Sequence, residues 1–293
     1  MKVLVTGTSG QLGYDVMMEL ISRGHEAIGA DRSDSEANFP HIVLDITDKA
    51  LVEAKISELK PDAIIHCAAW TAVDAAEETE NIAKVRAVNV DGTKNLAEAC
   101  GKVGGKLLYI STDYVFNGEG STPWQPDDKN YAPINVYGQS KLDGELAVVN
   151  TLDKYFIVRI AWVFGKNGKN FVETMRSLAD SHSELRVVND QIGTPTYTID
   201  LARLLVDMIE TEKYGYYHAT NEGGYISWAD FAKAIMEKTG KSTKIIPVTT
   251  AEYGESKAKR PFNSRLDKSK LVKQGFTPLP TWQDALKRYL END

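Results

Sequence analysis

The stretch Val3-Leu4-Val5-Thr6-Gly7-Thr8-Ser9-Gly10-Gln11-Leu12-Gly13 decides the fold. A β-rich apolar run breaks into a glycine turn, and the turn opens directly onto a helical pattern reaching Ser22. In that context spaced glycines have three uses: they let the backbone turn tightly, admit a phosphate close to the chain, and let helix pack on strand. The unpaired N–H groups at the helix start favour the phosphate's negative charge. The spacing is G-x-x-G-x-x-G, one residue longer than the commonest dinucleotide fingerprint. A dinucleotide pyrophosphate held by Gly7, Ser9, Gly10, Gln11, Leu12 and Gly13 is the resulting expectation.

Outward from this turn the same unit repeats as far as Arg159. Strands are predicted at Val3–Thr6, Glu26–Ala30, Ile42–Leu44, Ala63–Cys67, Lys106–Ser111 and Phe156–Ile160, with helices at Gln11–Ser22, Lys49–Leu59, Ile82–Cys100 and Asn135–Val149. Alternation of this kind predicts a parallel sheet covered on both faces, and short, uninterrupted apolar strands are what such burial requires. After Val163 the alternation loosens into a Gly165-to-Lys169 loop, a helix from Phe171, another at Asp200–Ile209, and further helices at Trp228–Thr239 and Trp282–Leu290. Gly215-Tyr216-Tyr217-His218-Ala219 reads as a strand returning to the main sheet. The expected division is a dinucleotide-binding domain, 1–165 with 195–220 returning to it, and a smaller C-terminal α/β substrate lobe, 166–194 and 221–293.

The chain has 293 residues, 42% hydrophobic and 26% charged, a composition that excludes disorder and small disulfide scaffolds. A net charge of −7 gives no broad electrostatic footprint for DNA or RNA, so an anionic ligand must be met by a local basic cluster. Cys67 and Cys100 are the only cysteines, and the N-terminus runs straight into the first strand without a signal-like apolar region. No run approaches the roughly 20 apolar residues of a membrane helix. A reduced cytoplasmic protein is expected, with no nucleic acid, membrane or metal partner, and with monomer and homodimer left open.

The strand ends carry the chemistry. Asp31 closes the second strand, where a carboxylate accepts hydrogen bonds from the adenosine ribose of NAD. Arg32 follows, and a guanidinium there pairs instead with the 2′-phosphate of NADP, so the two neighbours argue opposite ways. Asp45 and Ile46, after the third strand, fall where an adenine edge lies. Cys67, Ala68, Ala69 and Thr71 at the end of the fourth strand leave room for a flat ligand, and Cys67 reads as a small buried hydrophobe rather than a nucleophile. Ser111, Thr112, Asp113 and Tyr114 end the fifth strand with polar groups. Tyr137 and Lys141 stand i, i+4 on a helix, on one face and roughly 5–6 Å apart at Cβ. A nearby ammonium is expected to lower the phenol from its usual pKa of about 10 and make it a usable acid or base. A hydroxyl from Ser111 or Thr112 then meets the same substrate oxygen.

These residues together resemble the extended short-chain dehydrogenase/reductase family, over nearly the whole chain. The resemblance is carried by the glycine turn, the Tyr137/Lys141 pair and several longer segments. These are Ala68-Ala69-Trp70-Thr71-Ala72-Val73-Asp74, Ser111-Thr112-Asp113-Tyr114-Val115-Phe116, Trp162-Val163-Phe164-Gly165, Asp190-Gln191-Ile192-Gly193-Thr194-Pro195-Thr196 and Arg260-Pro261-Phe262-Asn263-Ser264. It implies a Rossmann-like doubly wound parallel sheet, NADPH or NADH as cofactor, and a nucleotide-sugar substrate. The reaction implied is reduction of the C4 ketone of dTDP-4-dehydro-L-rhamnose to dTDP-L-rhamnose, for cell-surface polysaccharide. Carried onto this chain, Tyr137 is the proton donor, Lys141 tunes it and holds the nicotinamide ribose, and Thr112 is the catalytic hydroxyl. Asn89 joins the cofactor site by positioning Lys141, while Val73, Asp113, Tyr114 and Trp162 surround the sugar and Arg260 takes the diphosphate. A reductase or epimerase of another nucleotide-linked sugar, or a non-catalytic regulatory relative, would share the scaffold. The presence of Tyr137, Lys141 and Thr112 argues against the last.

Overall fold

The computed structural model describes residues 1–33, 38–254 and 256–291. Seven strands form one sheet: β1 Lys2–Thr6, β2 Glu26–Asp31, β3 His41–Val43, β4 Ala63–His66, β5 Lys106–Thr112, β6 Tyr155–Ile160 and β7 Gly215–His218. Their order is β7-β6-β5-β4-β1-β2-β3, and every neighbouring pair is parallel. The returning strand is β7, which lies beside β6 with Gly215 opposite Phe156.

Strand period and apolar content explain the layering. Val3, Val5, Ala63, Ile65, Leu108 and Phe156 point to one face, against Val16, Met17 and Leu20 of the first helix and Leu201 and Leu205 of a later one. Leu4, Ile64, Leu107 and Ile157 point to the other, against Val52, Ile56, Leu96 and Val148. Both faces are dry, which is why the strands carry no polar alternation. Sequence order reverses between β1 and β4, and the crevice beyond the carboxyl ends of those strands is where sheets of this kind hold ligands.

A smaller α/β unit stands beside the sheet. Glu184–Val188 pairs in parallel with Lys244–Val248, and the helices Phe171–Ala179, Trp228–Thr239 and Trp282–Glu291 pack with it around Phe231, Trp282 and Tyr289. Ser227 and Asp230 close a reciprocal capping box at the start of the second of these helices. No helix among the described residues is long and apolar enough to cross a membrane.

Two predicted helices need correction. The expected helix Ile82–Cys100 is two α-helices, Thr79–Arg86 and Thr93–Lys102, joined by a π-helical turn at Ala87–Gly92. The wider turn carries Asn89, whose side chain is spent on tertiary bonds, while its carbonyl accepts from the Thr93 hydroxyl at 2.8 Å. Asn135, expected as the first residue of a helix, is instead the N-cap of Val136–Val149; its Oδ1 accepts the Gly138 N–H at 2.7 Å.

Candidate active site

The glycine turn is built for close approach. Gly7 has φ +78°, and a Cβ there would sit 2.6 Å from the Ala68 nitrogen; one on Gly13 would sit 2.2 Å from the Gly7 carbonyl oxygen. Side chains at these two positions are therefore excluded by the turn and by helix-on-strand packing. Gly10 is different: its φ is −87°, and a Cβ would meet only the Gly7 oxygen, at 3.3 Å. Gly10 is the N-cap of the helix Gln11–Ser22, and no side chain caps it. The first N–H groups of that helix are thus left for a ligand, and the backbone beneath them is bare, as a pyrophosphate requires.

From this turn a cleft of about 1310 Å³ runs along the carboxyl edge of the sheet. That exceeds the roughly 300–1,000 Å³ of a single small-ligand site and suits two bulky substrates. Gly7, Ser9, Gly10, Gln11, Leu12 and Gly13 line one end, with Asp31, Arg32, Asp45 and Ile46 beside them. Cys67, Ala68, Ala69, Thr71 and Val73 follow, then Thr112, Asp113, Tyr114, Tyr137 and Lys141, and finally Trp162 and Arg260. Asp31 holds the turn in shape: its carboxylate accepts N–H bonds from Ser9 at 2.9 Å and from Arg32 at 3.0 Å.

Asn89 is the exception among the expected cofactor residues. It is 1% exposed and lies behind the cleft, not on its wall. Its Oδ1 accepts the Trp70 N–H at 2.8 Å and its amide donates to the Trp70 carbonyl at 3.2 Å and the Ser140 hydroxyl at 2.9 Å. The structure thus ties Asn89 to the Ser140 hydroxyl, next to Lys141 in the chain, and to the Trp70 backbone.

The expected acidification of Tyr137 is also corrected. Burial pushes the phenol above its ordinary value, and the charge of Asp113 adds to this, against a hydrogen bond with Thr112 that pulls the other way. Burial likewise lowers Lys141, to about 7. Desolvation outweighs pairing at both groups: Lys141 is buried, and Tyr137 is half-buried on the cleft wall. The phenol is accordingly neutral near pH 7, the state a proton donor needs. Thr112 donates to Asp113 Oδ1 at 3.0 Å, and burial raises that carboxyl to about 6.

The Lys141 shift has a thermodynamic consequence. The unfolded chain keeps this proton up to about pH 10.5 and the folded chain only to about 7, so wild-type stability gains from rising pH across that window. Lys141→Met should raise the melting temperature by roughly a few degrees at neutral pH while abolishing catalysis. Thermal unfolding followed at several pH values should show the advantage fading toward pH 10.5. A variant less stable than wild type at pH 7 would refute the penalty assigned to the buried ammonium.

On the far side of the cleft, Trp162 adopts φ +52°, a conformation costly for a residue with a Cβ. Its indole stacks on Trp228 with ring centroids 3.7 Å apart, and a Cβ at Gly193 would come within 2.8 Å of it. Arg260 lines the cleft, but its guanidinium already grips Asp74 in a two-point pair at 3.0 and 2.6 Å, and Asp74 also accepts the Ala258 N–H at 3.1 Å. A diphosphate would meet this arginine only in competition with that carboxylate.

Sequence reading missed Trp228, Phe171 and the segment Asn167, Gly168 and Lys169, all on the cleft wall. The last is drawn onto the glycine turn by Gln11, whose Nε2 donates to the Lys169 carbonyl at 3.2 Å. Its Gly-Lys-Asn-Gly-Lys composition was the available signal, yet composition alone does not say where a loop folds.

A parallel sheet with a phosphate-ready glycine turn, and a half-buried tyrosine beside a threonine on the cleft wall with a lysine one turn along, define a short-chain dehydrogenase/reductase type of oxidoreductase. Residues 1–293 match the RmlD substrate binding domain family, and the chain belongs to it. It is 40% identical to the spore coat polysaccharide biosynthesis protein SpsK of Bacillus subtilis, over 99% of this chain and 97% of that one. It is 41% identical to dTDP-4-dehydrorhamnose reductase of Aggregatibacter actinomycetemcomitans, over 98% and 97%. The crystal structure of dTDP-4-dehydrorhamnose reductase from Bacillus anthracis in complex with NADP superposes with a TM-score of 0.92 at 40% identity, covering all of both chains.

Proposed function

We propose that this chain reduces the C4 ketone of dTDP-4-dehydro-L-rhamnose to dTDP-L-rhamnose, using NADPH or NADH, in the synthesis of cell-surface polysaccharide. The observation that carries the reading is the Tyr137–Thr112 pair at the inner wall of the cleft, in a chain about 40% identical over nearly its whole length to reductases of that name. When bound, the nicotinamide supplies the reducing equivalent. The glycine turn from Gly7 to Gly13 holds the pyrophosphate, Asp31 and Arg32 meet the adenosine ribose, and Lys141 meets the nicotinamide ribose. Tyr137 gives its proton to the ketone oxygen as negative charge develops there, and the Thr112 hydroxyl turns from Asp113 to hydrogen-bond the same oxygen. Val73, Tyr114 and Trp162 enclose the sugar, and Arg260 exchanges Asp74 for the diphosphate.

In this reading residues 1–165 and 195–220 carry the dinucleotide, and 166–194 with 221–293 carry the sugar nucleotide. Membership of β7 in the main sheet supports the first grouping and the separate core around Phe231 and Trp282 the second. The enzyme works in the cytoplasm; both cysteines are free, as a reducing compartment requires. The test is loss of NADPH absorbance with a panel of nucleotide-linked 4-keto-6-deoxy sugars. Turnover is expected with the dTDP-linked L-sugar above the rest. Cofactor binding without turnover on any sugar would overturn the reading and favour a regulatory role.

A further inference from the structure

Lys141 is 3% exposed, and the nearest carboxylate is already engaged. Glu145, one turn further along the helix, accepts from Arg159 at 2.8 and 2.7 Å and from the Ser111 hydroxyl at 2.5 Å. What faces the ammonium is an aromatic ring: Lys141 Nζ lies 4.1 Å from the centroid of Tyr109, on β5, which is wholly buried. The helix makes room for that ring. A Cβ at Gly144 would sit 2.4 Å from the Tyr109 hydroxyl oxygen, so the residue that follows Lys141 by three is one with no side chain.

Besides the ring, the charge of Glu145 also favours the ammonium, although that carboxylate is shared with Arg159. From β4, His66 packs on Tyr109 at 5.5 Å, its nitrogens bonded to the Thr6 and Thr93 hydroxyls at 2.8 and 3.0 Å; burial lowers it to about 3, so it is neutral. Cys67, which follows β4, is raised by burial to about 12 and is neutral as well. From the helix itself come Tyr137, neutral, and Glu145, whose charge is balanced by Arg159 of β6. A cation over an aromatic face in dry surroundings is held by the ring's quadrupole.

We propose that Tyr109 is a positioning residue: its ring face is the countergroup that keeps the Lys141 ammonium charged and aimed at the cofactor side of the cleft. The proposal rests on the reading above that Lys141 serves the cofactor and Tyr137. The local sequence Leu107-Leu108-Tyr109-Ile110 marks this residue only as part of a buried strand. Its role emerges from register, which sets it beneath Lys141.

The test is ¹³C NMR of lysine-labelled protein, with the Lys141 resonance assigned by its loss in Lys141→Met. In Tyr109→Leu the Lys141 titration midpoint should fall by about one pH unit, while Tyr109→Phe, which keeps the ring, should leave it in place. The basic limb of the kcat/KM profile should move down with it in the leucine variant alone. If Tyr109→Leu does not fold, Tyr109→Met removes the ring at similar bulk and is read in the same way. An unchanged midpoint in the ring-less variant, or an equal shift in Tyr109→Phe, overturns the proposal. A shifted midpoint in a protein that reduces none of the sugars would leave this role standing and sink the functional reading instead.

Discussion

Replacing Tyr137 by phenylalanine should lower kcat about 10³-fold, with cofactor affinity close to wild type. The substitution removes one oxygen from a half-buried ring that keeps its edge-on contact with Tyr114 at 5.6 Å, so the fold has little reason to change. What it removes is the protonated phenol beside Thr112 on the cleft wall. The ketone oxygen would then develop charge with Thr112 alone to meet it. NADPH titration by fluorescence separates binding from turnover. Wild-type kcat in this variant would remove Tyr137 from the reaction and return the proton to Asp113, the other buried acid within reach of Thr112.

The largest effect on stability should come from Glu145. Its carboxylate and the Arg159 guanidinium are both fully buried and paired in two-point fashion, and Arg159 also donates to the Pro126 carbonyl and the Tyr131 hydroxyl, each at 3.1 Å. Removing one partner leaves the other charged in a dry interior, at a cost of about 3–5 kcal/mol. Glu145→Ala should therefore lower the denaturant midpoint strongly and the melting temperature by roughly 5–10 °C. Replacing both residues by apolar ones of similar volume should recover much of the loss. A single variant within about 1 kcal/mol of wild type would show that water reaches this pair.

How much of this was legible depended on whether the signal was local. Gln11–Ser22, Lys49–Leu59 and Trp228–Thr239 announce themselves by spacing, and the structure places them at those residues. The glycine turn was readable because its cause, a carbonyl 2.2 Å from where a Cβ would stand, lies within a few residues. Break points set by tertiary bonds were not. Asn89 sits within the π turn, where Trp70 and Ser140 claim its amide, and neither lies near it in the chain. Trp228 joins the cleft by stacking on Trp162, a contact that no periodicity contains. The Tyr137 phenol misled for a related reason: helix spacing gives the distance to Lys141, whereas burial, which dominates, belongs to the whole fold.

The grip of Arg260 on Asp74 bears on how the reaction ends. Substrate and product carry the same diphosphate, so whatever affinity that group contributes favours neither. If the arginine takes the diphosphate as proposed, its internal anion means that each departing nucleotide would be replaced by a carboxylate already tethered alongside. The guanidinium would then never be stranded, and escape of the finished sugar would require a swap of partners in place of a naked charge.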